Sequence, residues 1–278
     1  MRLSQRWQGW RPDDYTDKEA IRKKLYGDPR RYELRGQTLA QYTRGTPAQI
    51  LRIGLDLLDL KPSEVVADAG AGSGYFADLV SSRTGNPVFA FDISSGQVLN
   101  GYRRYPHLHW CVCDVEAIPA PSQRFDAACA NFMLYHLLRP EIALFELARI
   151  LRNEGRLLIL TKGHNTYAEM DRWYRLALAQ FGLSDNAPRD ESRISELNID
   201  ELLPPAMQVE KRVCVESWVD FPTVEALLDY FASTPRYHYY VTEEQWKNLL
   251  GAIGQEAPKA GLSIRKIEWA FLVRVRHY

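Results

Sequence analysis

Val65, Val66 and Ala67 form a short apolar run, the pattern of a strand buried on both faces. The run ends at Asp68. Gly70, Gly72 and Gly74 then alternate with small residues, and from Tyr75 to Val80 the spacing predicts a helix. Further apolar runs predict strands at 88–91, 108–113, 125–130 and 156–161. Helical patterns lie between them: Ser94 or Ser95 can cap a helix running to Arg104, and Pro140 starts one ending at Arg152. Asn153, Glu154 and Gly155 predict a turn before the fifth strand. Upstream, Thr46 and Pro47 can start a helix with Ile50, Ile53, Leu57 and Leu60 on one stripe and Arg52, Asp56 and Asp59 opposite. Lys61 and Pro62 end it.

The second half departs from this simple alternation. An amphipathic helix is predicted over 166–182, carrying Met170, Trp173, Tyr174, Leu176, Leu178 and Phe181. A short helix is expected before Pro204 and Pro205, strands over 209–218 and 264–275, and helices over 223–233 and 242–256. Alternating strands and helices predict an α/β fold, a doubly wound, mostly parallel sheet of seven strands. Residues 1–46, rich in charge and aromatics, are expected to lie over the core as an arm. The helices at about 164–206 and 220–260 are expected to cap it.

Composition changes little. The chain has 278 residues, 46% apolar and 25% charged, as in an ordinary globular protein with a substantial core. No 18-residue apolar run occurs, so no membrane span is expected, and 1–10 lacks an apolar signal core, which points to the cytoplasm. Cys111, Cys113, Cys129 and Cys214 have no zinc spacing and are expected as reduced thiols, with no metal bound. Net charge is zero, but residues 1–44 hold 11 Lys and Arg against 6 Asp and Glu. That is a weak basic field for a nucleic-acid enzyme.

The candidate chemistry lies at strand ends. Asp68, Asp92, Asp114 and Asn131 each end a predicted strand, and ligands of open α/β sheets bind at that edge. Glycines after the first strand let a ligand approach the main chain. The dinucleotide spacing G-x-G-x-x-G would require glycine at 75, where Tyr75 stands. The acid two residues before Gly70 suits a cationic amino group and repels a pyrophosphate. A hydrolase elbow G-x-S-x-G is also missing around Ser73.

This run resembles motif I of the class I S-adenosylmethionine-dependent methyltransferases. The resemblance extends to Asp92, 24 residues after Asp68, to Cys113-Asp114-Val115-Glu116, to the stretch from Phe125 to His136, and to Glu146-Leu147-Ala148-Arg149-Ile150-Leu151 with the following turn. Ile150, Arg152, Asn153 and Glu154 replace commoner residues of that last segment. It implies the family's Rossmann-like sheet with an antiparallel last strand, and S-adenosylmethionine as cofactor. It places Asp68 with Gly70, Gly72 and Gly74 at the methionine end, Asp92 and Ile93 at the ribose, Asp114 and Val115 at the adenine, and Asn131 beside them. Tyr42 and Arg44, before the first core helix, are expected to fold over the cofactor's carboxylate.

The resemblance implies methyl transfer by in-line displacement to nitrogen or oxygen of a small-molecule acceptor, in a monomer or homodimer. His136 and Tyr135, after the fourth strand, are the candidate catalytic residues. His164, Tyr167 and Glu169 follow the fifth strand as weaker candidates for the acceptor side, and His238 sits in an aromatic cluster expected to pack. Arg30, Arg31 and Arg35 could hold an anionic acceptor group. Two other readings stay open: a methyltransferase acting on RNA, and a non-catalytic protein that binds the cofactor.

Overall fold

The fold is described from a computed structural model covering residues 17–20, 23, 29–45, 49–185, 189–238 and 242–277. In chain order the helices and strands are α1 (Lys18–Ala20), α2 (Pro29–Tyr42), α3 (Gln49–Leu57), β1 (Val66–Ala69), α4 (Tyr75–Thr84), β2 (Phe89–Asp92), α5 (Ser95–Arg104), β3 (His109–Val112), β4 (Phe125–Asn131), α6 (Pro140–Ile150), β5 (Leu151–Lys162), α7 (Ala168–Gln180), α8 (Ile199–Leu202), β6 (Met207–Asp220), α9 (Val224–Ser233), α10 (Glu243–Ala260) and β7 (Ser263–Val275). Among the described residues no helix is long and apolar enough to cross a membrane.

The strands form one seven-stranded sheet in the order β3-β2-β1-β4-β5-β7-β6. The first five pair in parallel, and β7 runs antiparallel to both β5 and β6. The order reverses between β1 and β4, where an open sheet opens its ligand crevice. Val66, Leu158, Leu160 and Leu272 face α3 and α4 with Ile50, Leu58, Phe76 and Val80. Ala128, Ala130, Leu157, Ile159 and Phe271 face α6 with Leu144, Leu147 and Ile150. A separate cluster joins α7, α9 and α10 through Trp173, Tyr174, Phe231, Trp246 and Ile253, and Leu34, Leu39 and Tyr42 of α2 pack against it.

Local signals explain the element ends. Ser94 accepts the Gln97 N–H at the start of α5, Thr223 caps α9, and Thr242 with Gln245 forms a capping box on α10. Three readings need correction. Helix α3 ends at Leu57, short of Leu60, and its buried row runs through Ile50, Gly54 and Leu55. Gly54 faces β5 so closely that a Cβ there would lie 2.9 Å from Leu158 Cδ2, which turns Ile53 and Leu57 to half-buried positions. Thr46 and Pro47 lie outside the described residues. The predicted turn at 153–155 is a bulge within a continuous β5: Leu151 pairs with Phe125, Arg156 with Ala127, and Glu154 adopts φ 61°. Helix α10 also runs on to Ala260, past Pro258.

Candidate functional site

The carboxyl edge of the sheet opens into a cavity of about 490 Å³, lined from β1, β2, β4 and β5 and roofed by α2, α9 and the turn over Pro235–His238. At its centre β1 delivers Asp68, and the chain turns away through Gly70 (φ 74°) and Gly72 (φ 54°). Both conformations favour glycine. The N–H groups of Gly70 and Ala71 bond to Phe91 O at 2.8 and 2.9 Å. The Gly72 N–H donates to Asp92 Oδ2 at 2.8 Å, and the Ser94 N–H donates to Asp92 Oδ1 at 2.8 Å. A Cβ on Gly70 would meet Met133 Cγ at 2.7 Å, whereas a Cβ on Gly72 would meet nothing within 4 Å. Gly74 does not line the cavity. It sits at the start of α4 with φ 86°, and a Cβ there would strike Trp110 at 2.6 Å.

Three polar side chains at this edge have buried atoms with no hydrogen-bond partner in the protein: both oxygens of Asp68, the amide of Asn131 and the amide of Gln97. All three line the cavity. Asp68 is 1% and Gln97 2% exposed. Burial, with Asp92 nearby, pushes the Asp68 carboxyl up to about 8. Burial raises Asp92 too, against the lowering effect of its two N–H donors. Such unpaired groups are costly in a core, so their place is a ligand surface. Gln97 escaped the sequence reading because its position in α5 looked like ordinary helix surface.

Ile93, Asp114 and Val115 line the adjoining wall. Asp114 Oδ1 caps the Val115–Ala117 turn through the Glu116 N–H, and Oδ2 accepts Lys18 Nζ. Lys18 also pairs with Glu116, so α1 is tied to this wall.

Tyr42 and Arg44, expected over the cofactor's carboxylate, do not line the cavity. The Arg44 guanidinium pairs with Asp220, Nε to Oδ2 at 2.8 Å and Nη2 to Oδ1 at 2.9 Å, and its side chain is 65% exposed. Tyr42 turns its ring to Phe221, with centroids 6.0 Å apart. The physical reason is the join between α2 and β6: Thr43 bridges Val219, and the Arg44 N–H donates to Trp218 O, which faces both side chains away from the cavity. Arg35 and Thr43 reach the cavity from this segment instead.

The far end of the cavity carries different chemistry. His136 is 8% exposed, follows β4 in a single helical turn, and lies against the Tyr135 ring, with centroids 4.6 Å apart and planes tilted by 57°. Burial pulls the His136 imidazole down to about 3, so it is neutral at ordinary pH. Lys162, ending β5, pairs with Asp190 and lies 4.8 Å from the Tyr135 ring centroid. Tyr167 and Tyr230 are hydrogen-bonded to each other beside Thr166, Lys266 and Glu268. Asp171 accepts from Tyr237 and pairs with Arg189 and Arg236, and Arg236 reaches Asp185, fastening α7 to the Pro235–His238 turn.

The remaining candidates separate clearly. His164 is exposed and does not line the cavity. Glu169 accepts the Arg265 N–H, a structural bond. His238 is fully buried against Trp246, as the packing reading expects. The side chains of Arg30 and Arg31 lie outside the described residues.

Comparison with known proteins agrees with this geometry. Residues 67–159 match the family model described as "Methyltransferase domain". The demethylmenaquinone methyltransferase of Beutenbergia cavernae is 32% identical over 153 residues, 55% of this chain and 62% of that protein. The malonyl-[acyl-carrier protein] O-methyltransferase of Serratia marcescens is 29% identical over 116 residues, 41% of this chain and 45% of that one. The chain thus spans about half the length of the curated relatives it matches. Among solved structures, a candidate methyltransferase from Bacillus halodurans shares the fold with a TM-score of 0.60 and 18% identity, over 82% of this chain and 99% of that one. The [4+2]-cyclase SpnF does so at 0.57 and 16%, over 92% and 97%. A cyclase on the same fold means that architecture alone does not carry the reaction. The glycine loop and the strand-end acids lie in that matched region: residues 67–159 are similar to the methyltransferase domain, and the chain has the Rossmann-like fold of the class I S-adenosylmethionine-dependent methyltransferases.

Proposed function

We propose that this protein transfers the methyl group of S-adenosylmethionine to nitrogen or oxygen of a small molecule bound at the His136 end of the cavity. The observation that carries the reading is Asp68, a buried carboxylate with both oxygens unpartnered on a glycine-lined wall. A cationic amino group is the ligand that such a carboxylate fits. The Gly70–Gly72 turn, with open space beside Gly72, and the unpartnered amides of Asn131 and Gln97 also fit an adenosyl ligand.

When bound, S-adenosylmethionine supplies a methyl group on a sulfonium centre, the reactive carbon of the family's chemistry. The protein's task is to align the acceptor and exclude water. Asp68 holds the amino end. Asp92 orders the loop and offers its remaining lone pairs to ribose hydroxyls. Asp114, Val115 and Ile93 form the adenine wall. His136 and Tyr135 stand on the acceptor side, where a neutral imidazole can accept a hydrogen bond from an acceptor hydroxyl and orient it, and acts as a base only if the bound acceptor raises it from about 3. Tyr167, Tyr230 and Tyr237 supply rigid contact area around it. A cavity of this size, roofed by helices, supports a small acceptor over a polymer.

Two measurements test the reading. Titration calorimetry with S-adenosylhomocysteine should give a saturable heat, and transfer of label from S-adenosylmethionine to a low-molecular-weight product should follow. Silence in both at millimolar ligand would refute it. Binding without turnover on any acceptor would leave a cofactor-binding protein, and label on carbon would correct the acceptor atom.

A further inference from the structure

The inward row of a strand under a helical cap is normally apolar, and here it is so on both sides of the cavity. On the face covered by α3, β5 presents Leu158 and Leu160 while β7 presents Ala270 and Leu272. Beyond the cavity, Ile264 of β7 joins the cluster of α7, α9 and α10. Between these stretches the same row reads Lys162, Glu268 and Lys266. Lys162 and Glu268 are cross-strand partners, so their side chains share a face. Lys266, two residues before Glu268, shares it too.

All three line the cavity. Lys266 and Glu268 are each 8% exposed, with Nζ 3.0 Å from Oε2. Burying such a pair costs more desolvation than an apolar pair of similar size. The cap packs through its own apolar cluster. The charges are therefore kept for what enters the cavity. An ammonium has three donors, and Glu268 engages one from Lys266. Lys162, fixed by Asp190, adds a second positive centre on the same wall. A hydrocarbon tail laid against this wall would strip water from both lysines with nothing in return. A compact oxyanion would be met by charge-assisted hydrogen bonds.

We propose that Lys266, with Lys162 beside it, anchors the acceptor through a compact oxyanion, a carboxylate or a phosphate, and that the acceptor is a water-soluble small molecule. The inference rests on the methyl-transfer reading and adds the substrate class. Lys162 and Lys266 both lie outside the matched domain of residues 67–159.

The test uses the full chain with methyl-labelled S-adenosylmethionine and a cell extract split into a lipid phase and a water-soluble fraction below 1 kDa on the order of the size of metabolites that such a cavity admits. The water-soluble part is passed over an anion exchanger, with and without prior phosphatase treatment. Label should appear in the retained fraction, and its survival or loss after phosphatase separates carboxylate from phosphate. Lys266→Met should cut the rate at limiting acceptor roughly tenfold or more, the loss expected of a charge-assisted contact, with S-adenosylhomocysteine affinity and melting temperature kept. Lys266→Arg should recover part of it. Lys162→Met provides a second variant should the first fail to fold. Label in the lipid phase or the unretained fraction, or full rates in both Met variants, would overturn the inference and leave methyl transfer standing. No label anywhere, with cofactor binding intact, would overturn both.

Discussion

Asp92 holds Gly72 from the neighbouring strand: its Oδ2 accepts the glycine N–H at 2.8 Å, across 20 residues of chain. One carboxylate thus shapes the loop and faces the cavity. Asp92→Ala removes the loop's anchor together with a ribose acceptor. Affinity for S-adenosylhomocysteine should fall by about 2–4 kcal/mol. Asp92→Asn keeps one acceptor oxygen and should lose less. Calorimetry on both variants decides it, and an unchanged Kd in the alanine variant would remove Asp92 from the cofactor site.

Asp68 should make cofactor binding release a proton. Its carboxyl is raised to about 8 by burial, so at pH 7 the free protein holds it mostly protonated. A bound ammonium favours the charged form, and about one proton should leave, seen as binding heats that vary with buffer ionisation enthalpy. Asp68→Asn should abolish that variation. In the ligand-free protein the sign also runs against alkali. Between 3.8 and about 8 the folded chain holds a proton that the unfolded chain has lost, so stability falls as pH rises through this window. The asparagine variant should lack this slope.

Gly70 and Gly72 should fail in different ways. Gly70→Ala places a Cβ on Met133 at φ 74° and should lower the melting temperature. Gly72→Ala has open space around it and should lose only about 1–2 kcal/mol from its left-handed backbone. Its defect should appear in cofactor affinity, where the new methyl stands in ligand space. Equal affinity in Gly72→Ala and the parent would place the cofactor elsewhere.

His136 is neutral across the working range, because burial holds it down to about 3. The rate profile should therefore show no inflection near the ordinary imidazole value of 6.5 from this residue. His136→Ala should lower turnover by roughly 10²–10⁴ if it moves a proton, with cofactor affinity kept. A fall below about threefold would take it out of proton transfer, whose usual contribution is far larger. Stability works in the opposite sense to Asp68. Below 6.5 the unfolded imidazole takes a proton that the folded one refuses, so this residue weakens the fold as pH drops towards 3.

Gln97→Leu removes a buried amide whose two polar atoms have no partner in the protein. Without ligand the variant should melt at the same or a higher temperature, since an unpaired polar group disappears. With S-adenosylhomocysteine its thermal shift should be smaller than the parent's. A full shift would assign Gln97 to packing.

The sheet was legible because its strands are short apolar runs stopped by an acid or amide, as at Asp68, Asp92 and Asn131. The placing of Asp68, Asp92 and Asn131 on the cavity wall followed from those stops. The pairing of Arg44 was not legible because sequence shows its nearness to the core helix but not the pull of Asp220, 176 residues away. Gln97 was missed because burial of a helix position depends on what packs over it. Lys266 and Glu268 did leave a trace. They are charged residues two apart on the inward row of a strand otherwise lined by Ile264, Ala270 and Leu272, and this break in alternation marks the cavity wall.

The antiparallel return of β7 has a consequence for how the site is assembled. Because β7 lies between β5 and β6, a chain stopped before Ser263 would leave both of those strands with an open edge. Unpaired N–H and C=O rows on two long strands invite pairing with other chains. The cofactor wall, made from β1, β2 and β4, could already stand in such a fragment. Incomplete products should therefore collect as aggregates that carry the cofactor half and lack the acceptor wall.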